Sequence, residues 1–229
     1  MADSESFMEQ WITDPTAVGI ELPDFVVQIG SYTNSTDQGG ASGGTGAYAN
    51  CIRLYRFTER LSRAVNPNAI NQLFTGGRMQ SSAVGIEIPR VNGLSNMINA
   101  LSNGENIPQI IIQRIGQIQK GSKTLEKIEY DNCLFTLYHY VTVKDAQGNT
   151  SDRARLAFRP LKRTQTIISY KQDDGTQQGQ TQSVIDFTTG DFTMGGGDSG
   201  SGGGGGDSGG GGGGGGGDSG GGGGGGDAV

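Results

Sequence analysis

The chain contains one histidine, His139, and two cysteines, Cys51 and Cys133, so its capacity for acid–base or nucleophilic chemistry is small. A hydrolytic triad needs a nucleophile beside a base, and an acid that orients the base. No serine or cysteine in the sequence is marked as such a nucleophile. In an extended run, His139 shares one side with Phe135 and Leu137, which indicates an imidazole in a core or groove. The residues therefore predict a protein that is not an enzyme.

Sites for metals and phosphates are equally unsupported by residue spacing. The cysteines and the histidine lack the paired spacing of zinc ligands, and two cysteines in a chain of 229 residues indicate buried free thiols. A phosphate-binding loop requires G-x-x-x-x-G-K-[ST] between a strand and a helix, and this motif is missing. Aspartates recur in the C-terminal glycine segment at intervals of 9, 11 and 9 residues, without the apolar residue of a calcium-binding β-roll. The sequence thus predicts no cofactor and no metal.

Charge is distributed unevenly along the chain, whose net charge is −6. All 17 lysines and arginines lie between Arg53 and Lys171, and eight acidic residues in that interval leave it at +9. Residues 1–51 carry seven acids and residues 172–229 carry eight. One interpretation is a solvated surface with polar arms. The other is that charge complementarity orders one subunit against the next in an oligomer.

Cations near aromatic residues offer a different function, that of a nucleic-acid-binding β-barrel. The cations concerned are Arg153, Arg155, Arg159, Lys162 and Arg163. The aromatic residues are Tyr138, Tyr140 and Phe158. Acidic arms and an isoelectric point near 4.8 oppose binding to a polyanion. Our preferred interpretation therefore has no nucleic-acid partner.

The stretch that organises the chain, Ser82 to Ile115, is predicted to fold as strand, short helix and strand. Apolar residues first alternate on one side of an extended run at Val84, Ile86 and Ile88. The period then becomes that of one helical face, with the core-packing residues Leu94, Met97, Ile98 and Leu101. Asn92 or Ser95 is the predicted N-cap, and Gly104 is the predicted left-handed residue at the C-terminus.

Further strands are predicted at 22–29, 51–61, 109–115, 125–143, 153–159 and 164–170, with a polar hairpin loop at 145–152. Seven or eight strands and one helix predict a mainly β fold, a single barrel or sandwich domain with one short α-helix. Composition sets the domain at 22–189, between an N-terminal arm at 1–21 and a flexible tail at 190–229. The tail holds most of the glycines, since 25 of 43 lie from Gly195 onward, and it offers no side chains to bury.

Two features bear on location and contacts. The first residues are acidic and lack the basic and apolar regions of a Sec signal peptide. No apolar run approaches the roughly 20 residues needed to span a bilayer. We therefore expect synthesis in a cytosol, no membrane insertion, and export only by a route that reads the folded assembly. Residues 30–47 form a long Gly- and Ser-rich loop, and loops of this length are commonly functional or disordered.

The order of elements resembles a known family. A strand, a helix written GLSNMINALSNGENIP and an isoleucine-rich strand resemble the haemolysin-coregulated protein (Hcp) family, which supplies the inner tube of bacterial type VI secretion systems. The segments KIEYDNCLFTLYHYV and DRARLAFRPLKRTQTIISYK resemble its closing strands. The likeness runs from about residue 22 to about residue 182.

This resemblance implies a structural subunit that forms hexameric rings, stacks them into a tube, and carries or conducts effectors through the lumen. It implies contacts with further copies, with sheath, spike and baseplate components, and with effector proteins. It also implies assembly in the bacterial cytoplasm and then delivery to the medium or a target cell. The long loop is expected to contact an adjacent ring or subunit through Ser31, Tyr32, Asp37, Gly40, Gly43 and Gly46. The alternative is a tail-tube protein of a phage or of an extracellular contractile device.

Overall fold

The computed structural model describes residues 25–33, 48, 50–63, 79–118, 121–144 and 148–198. Within these ranges the chain is mainly β with one helix, which confirms the predicted fold class. The helix, α1, spans Leu94–Asn103. The strands are β1 Phe25–Ile29, β2 Ile52–Arg53, β3 Arg56–Thr58, β4 Leu61–Arg63, β5 Met79–Ser81, β6 Val84–Pro89, β7 Asn106–Ile118, β8 Gly121–Lys144, β9 Thr150–Tyr170, β10 Gln177–Asp186 and β11 Phe192–Asp198.

Nine of these strands form one antiparallel sheet in the order β11-β10-β9-β8-β7-β1-β2, with a branch from β9 through β6 to β3. Strands β4 and β5 form a separate two-stranded sheet. The regular ladders do not close into a barrel. Residues 52–58 span the gap, because Leu54 N donates to Phe25 O at 3.0 Å and Tyr55 N donates to Glu87 O at 2.8 Å. One segment thus links β1 to β6, so that β1, β7, β8, β9 and β6 surround a single core.

Strand β9 is one continuous strand where the sequence predicted two. One of its edges pairs with β8 along most of its length. The other edge pairs with β6 at residues 153–158 and with β10 at residues 162–170. Pro160 lies on this edge between the residues that pair with β6 and those that pair with β10. Its missing backbone N–H therefore interrupts neither the β6 ladder nor the β10 ladder. The proline is therefore compatible with an unbroken strand.

The core-facing side of the sheet shifts by one residue along a row formed by Pro108, Asn132 and Leu161 on β7, β8 and β9. Asn132 has a φ of 53°, in the left-handed region that asparagine tolerates better than most residues. On β8 the buried residues before and after this row are Ile128 and Tyr130, then Cys133 and Phe135. A strict period of two therefore does not continue across the row.

A β-bulge in β8 between Phe135 and Leu137 changes the alternation again. The sequence placed Leu137 on the same side as Phe135, and the structure corrects this. Leu137 packs in a small separate cluster with Ala83 and Ala157, whereas Tyr138 packs against the main core. An extra residue in one strand exchanges the faces of all the side chains that follow it.

The main core is one cluster of buried residues from β1, β2, β6, β7, β8, β9 and α1. Strand β11 extends the sheet into residues 192–198, part of the range that composition assigned to the tail. Its glycines pair through the backbone with residues 180–182 of β10, and such pairing needs no side chains. Among the described residues, no helix has the length and apolar character required to cross a membrane.

Candidate functional site

The long loop after β1 leaves the barrel through a closed stem. The hydroxyl of Thr33 accepts a hydrogen bond from Ile29 N at 3.0 Å and donates one to Asn50 O at 2.8 Å. Thr33 is 3% exposed, so these bonds are shielded from water. One buried hydroxyl therefore joins the chain that enters the loop to the chain that returns from it.

The returning side of the loop is fixed by a second set of hydrogen bonds. The hydroxyls of Tyr48 and Thr124 are 2.9 Å apart, and Thr124 also donates to Gln113 Oε1 at 3.0 Å. Tyr170 donates its hydroxyl to Thr124 O at 3.1 Å. Burial, and then the proximity of Tyr48, raises the pKa of Tyr170, which keeps this donor protonated. The network connects the loop to β7, β8 and β9.

The outgoing side of the loop rests on the start of α1. A Cβ added to Gly93 would lie 1.9 Å from Tyr32 O, so only glycine fits beneath this backbone. Gly93 is also the N-cap, without a side-chain cap; the predicted caps Asn92 and Ser95 were wrong. Burial, and then the charge of Glu105, raises the pKa of Tyr32. The stem and α1 thus form one packed unit at this end of the barrel.

The predicted loop-contact residues fall partly outside the described ranges. Ser31 is exposed and Tyr32 is half-buried against the core, and both lie in the stem. The remaining four, Asp37, Gly40, Gly43 and Gly46, lie outside the described residues. Their contact with a neighbouring ring or subunit remains a prediction.

The predicted core stripe of α1 needs one correction. Leu94 and Met97 are buried and Leu101 packs against the core, but Ile98 is 37% exposed. Ala100 is fully buried in addition, which shifts the packed face away from Ile98. The left-handed residue predicted at Gly104 is confirmed, with a φ of 63°.

Ile98 instead lines a pocket of about 340 Å³ between α1 and β8. Its other lining residues are Arg90, Val91, Asn92, Leu94, Ser95, Tyr138 and Tyr140. Beside it, hydrogen bonds from Tyr140 and Thr142 lower the pKa of Asp152 and keep it ionised. Asp152 also lies 3.8 Å from the Arg90 guanidinium. The walls combine tyrosines with polar groups, and no histidine, cysteine or carboxylate lines them.

A buried charge cluster lies on the face of the sheet opposite the core. Glu87 is 1% exposed, and its two carboxylate oxygens accept from Arg153 Nη1 at 3.0 Å and from Arg155 Nε at 2.8 Å. The Arg153 guanidinium also lies 3.9 Å from the centre of the Tyr55 ring. This cluster was not predicted from the sequence. The pattern that could have indicated it is a single glutamate in the apolar run VGIEIP, together with a strand of alternating arginines that could pair with it.

A second buried ion pair lies on the core side, where Arg163 Nε donates to Glu59 Oε1 at 2.7 Å. The nearby Tyr130 hydroxyl is buried without a hydrogen-bond partner of good geometry. Its burial, and then the charge of Glu59, raises the pKa of Tyr130 well above the ordinary value. Arg153, Arg155 and Arg163 are all internal, so three of the five cations proposed for a nucleic-acid surface do not face solvent.

The candidate nucleophiles are not activated. Burial raises the pKa of Cys51 to about 11 and that of Cys133 to about 12, so both remain thiols at neutral pH. The Cys133 thiol donates to Tyr130 O at 3.3 Å. Nδ1 of His139 is buried and has no hydrogen-bond partner in the structure. In the described part of the chain, no cluster of three or more His, Cys, Asp and Glu could hold a metal ion.

Comparison with known proteins gives a likeness in structure alone. No family model and no curated relative matches the sequence. A solved type six secretion system protein has a TM-score of 0.60 at 10% identity, covering 74% of this chain and 99% of its own. Hcp1 from Salmonella typhimurium has a TM-score of 0.52 at 12% identity, covering 72% of this chain and 95% of its own. The chain therefore has an Hcp-like fold.

Proposed function

We propose that this protein is a structural tube subunit of a type VI-like contractile secretion apparatus, which forms hexameric rings that stack and carry effectors in their lumen. The observation that carries the proposal is the extent of the fold likeness. It spans 99% of a type six secretion system protein at a TM-score of 0.60, so the likeness covers that whole domain. A role that does not involve catalysis also agrees with the protonated state of both thiols.

The loop stem supports a role in stacking. Thr33 and Tyr48 fix the two sides of the stem, and Gly93 supports the outgoing side. A long polar segment on a fixed base can extend to a neighbour without disturbing the core. In the proposed assembly, residues 34–47 contact the adjacent ring or subunit.

The proposal carries the expected partners and location with it. The subunit assembles in the bacterial cytoplasm against sheath, spike and baseplate components, and then leaves the cell with its effectors. A nucleic-acid-binding role is less well supported, because Arg153, Arg155 and Arg163 are buried in ion pairs.

The experiment is negative-stain microscopy of the full chain beside a variant in which residues 35–46 are replaced by a four-residue Gly-Ser linker. We expect rings from both proteins and stacked tubes from the full chain only, since the stem bonds of Thr33 remain in the variant. Intact tubes from the variant would remove the loop from the stacking mechanism. Monomers from the full chain at every concentration would overturn the proposed function.

A further inference from the structure

Strands β10 and β11 extend the sheet beyond the part that encloses the core, and we call residues 177–198 the flap. β10 pairs with the C-terminal part of β9, and β11 pairs only with β10 among the described residues. Within the described ranges β11 has one paired edge, so its other edge presents backbone donors and acceptors to which no described strand pairs. The flap is therefore an extension suited to contact with another surface.

One face of the flap exposes large apolar side chains. The row Tyr130, Arg163, Ile185 and Phe192 crosses from β8 to β11, and paired residues of a row lie on the same face. Tyr130, Arg163 and Ile185 are buried, whereas Phe192 at the end of the row is 51% exposed. Met194, two residues further along β11 and on the same face, is 69% exposed. The core-facing side of the sheet thus continues outward as an uncovered apolar face.

Charge indicates what covers this face. Residues 172–198 contain five aspartates and no lysine or arginine. The N-terminal arm also lacks cations, and residues 1–24 contain six acids. Like charges disfavour an N-terminal arm docked on the flap, whereas the body between Arg53 and Lys171 carries +9. The complementary surface is the body of a second copy.

The body has an exposed apolar patch that matches the flap. Leu134 is 43% exposed on β8 and pairs with Arg159 on β9, and Leu161 is 51% exposed on the same strand. Leu134 lies opposite the core-facing Cys133 and Phe135, so Leu134 and its partner Arg159 are on the outer face of the sheet, and Leu161 is exposed at the row where the faces shift. We call Leu134, Arg159 and Leu161 the outer patch. It combines two leucines with a cation, as an acidic apolar flap requires.

We propose that the flap of one copy docks on the outer patch of the next, with Phe192 and Met194 against Leu134 and Leu161. The two surfaces differ, so the contact is heterologous, and a heterologous contact whose rotation closes repeats around an axis into a ring. This inference rests on the proposed ring subunit and assigns the contact that forms the ring. It makes β10 and β11, and not only the long loop, part of the assembly machinery.

The first test replaces the two exposed apolar residues of the flap in the full chain, as the double variant Phe192→Ser, Met194→Ser. Sedimentation velocity over a concentration series should show that the midpoint for ring dissociation rises about tenfold or more, as for loss of two central contacts. The matched control is Ile98→Ser, an exposed apolar residue at the pocket, which should assemble like the wild type. Rings of wild-type strength from the flap variant would overturn the inference and leave the proposed function standing.

The second test determines whether Met194 of one copy contacts Leu134 of another. Full chains bearing Met194→Cys and full chains bearing Leu134→Cys are mixed and oxidised, beside each variant alone. We expect a cross-linked dimer only from the mixture. The same cross-link yield from Met194→Cys mixed with Ile98→Cys would contradict docking on the outer patch. If deletion of residues 1–21 weakened the ring as much as the flap variant does, the N-terminal arm would replace the second copy as occupant.

Discussion

The two halves of β9 belong to one strand but have different surroundings. Residues 153–158 pair with both β6 and β8, and every one of them is buried. Residues 162–170 pair with β10 and, as far as Ile167, with β8, and Leu161 and Ile167 are 51% and 49% exposed. The composition of the two halves is similar, with cations and apolar residues in both. The two halves differ in the strand that pairs with their second edge, which is β6 for residues 153–158 and β10 for residues 162–170.

The covered half shows how the protein buries charge. Its outward side carries two arginines, and both pair inside the fold with Glu87 of the neighbouring strand. Its inward side carries Phe158, which stacks edge-on against Tyr130 with ring centres 5.3 Å apart. The other half pairs with β10 of the flap, and the flap exposes Phe192 and Met194. One half of β9 is therefore enclosed on both faces, whereas the other half leaves Leu161 and Ile167 exposed, and Leu161 is a residue of the proposed contact.

The largest expected effect comes from a pair of phenylalanines, one in each environment. Phe158→Ala removes a fully buried ring and should cost about 3–5 kcal/mol of unfolding free energy. Phe192→Ala removes a ring that is 51% exposed and should cost about 1 kcal/mol or less. Urea unfolding of the two variants measures the difference. Equal losses would mean that the flap is as fully packed as the core.

Loss of the charge between the two arginines is expected to be nearly as severe. Glu87→Gln leaves two buried guanidinium groups without their counter-charge, a change that typically costs about 3–5 kcal/mol. The control is Glu129→Gln, whose partner Lys127 lies at 2.8 Å in a partly exposed pair. We expect the control to lose about 1 kcal/mol or less. Thermal melting of both variants measures these losses. A Glu87→Gln variant that melts at the wild-type temperature would show that the cluster does not contribute to stability.

A smaller effect is expected where the loop stem meets α1. Gly93→Ala places a methyl group against the backbone of Tyr32, and such overpacking typically costs about 1–3 kcal/mol. Gly121→Ala is the matched change, because no atom lies within 4 Å of its added Cβ. The unfolding free energy of the Gly121 variant should equal or slightly exceed that of the wild type. If both variants unfold alike, the stem does not rest on α1 in solution.

The sequence predicts an element well when neighbouring residues determine it, and poorly when contacts with distant segments determine it. The central stretch followed from local periods, since alternation and then a helical stripe are set by the residues themselves. The prediction that Ile98 packs in the core was wrong. The buried residues Leu94, Met97 and Ala100 centre the packed face of the helix away from Ile98, and a pattern of four apolar residues does not determine that centre. The cap failed because the Tyr32 backbone needs glycine at position 93, a contact between distant segments.

The site and the flap were harder to predict. The faces of β8 shift at Asn132 and again at the bulge after Phe135, and neither shift has a signature in side-chain type alone. β11 was assigned to the tail because its glycines have no pattern, although backbone pairing holds them. Arg153 and Arg155 were candidates for a nucleic-acid surface, and their burial was not predicted because it depends on Glu87 in another strand.

A dependence of stability on alkaline pH is expected from the two buried thiols. Burial raises the pKa of Cys51 to about 11 and that of Cys133 to about 12, from an ordinary 9.0. Their contribution to stability is therefore complete below pH 9.0 and is lost as the pH rises toward these folded values, since only the unfolded thiols ionise there. The loss is at most about 1.4 kcal/mol per thiol for each pH unit.

Urea unfolding in reducing buffer on both sides of the ordinary thiol pKa measures this dependence. The Cys51→Ala, Cys133→Ala double variant should show a shallower decline in stability than the wild type. The same slope in both proteins would show that the thiols are accessible to solvent.

The central claim, that this chain is a ring subunit, is tested most directly by native mass spectrometry of the full-length protein over a concentration series. A ring subunit should give one dominant closed oligomer, six times the 23.8 kDa chain if the ring is hexameric, and this oligomer should form without nucleic acid or any other protein. A chain that stays monomeric at every concentration, or that assembles only when nucleic acid is added, would contradict it.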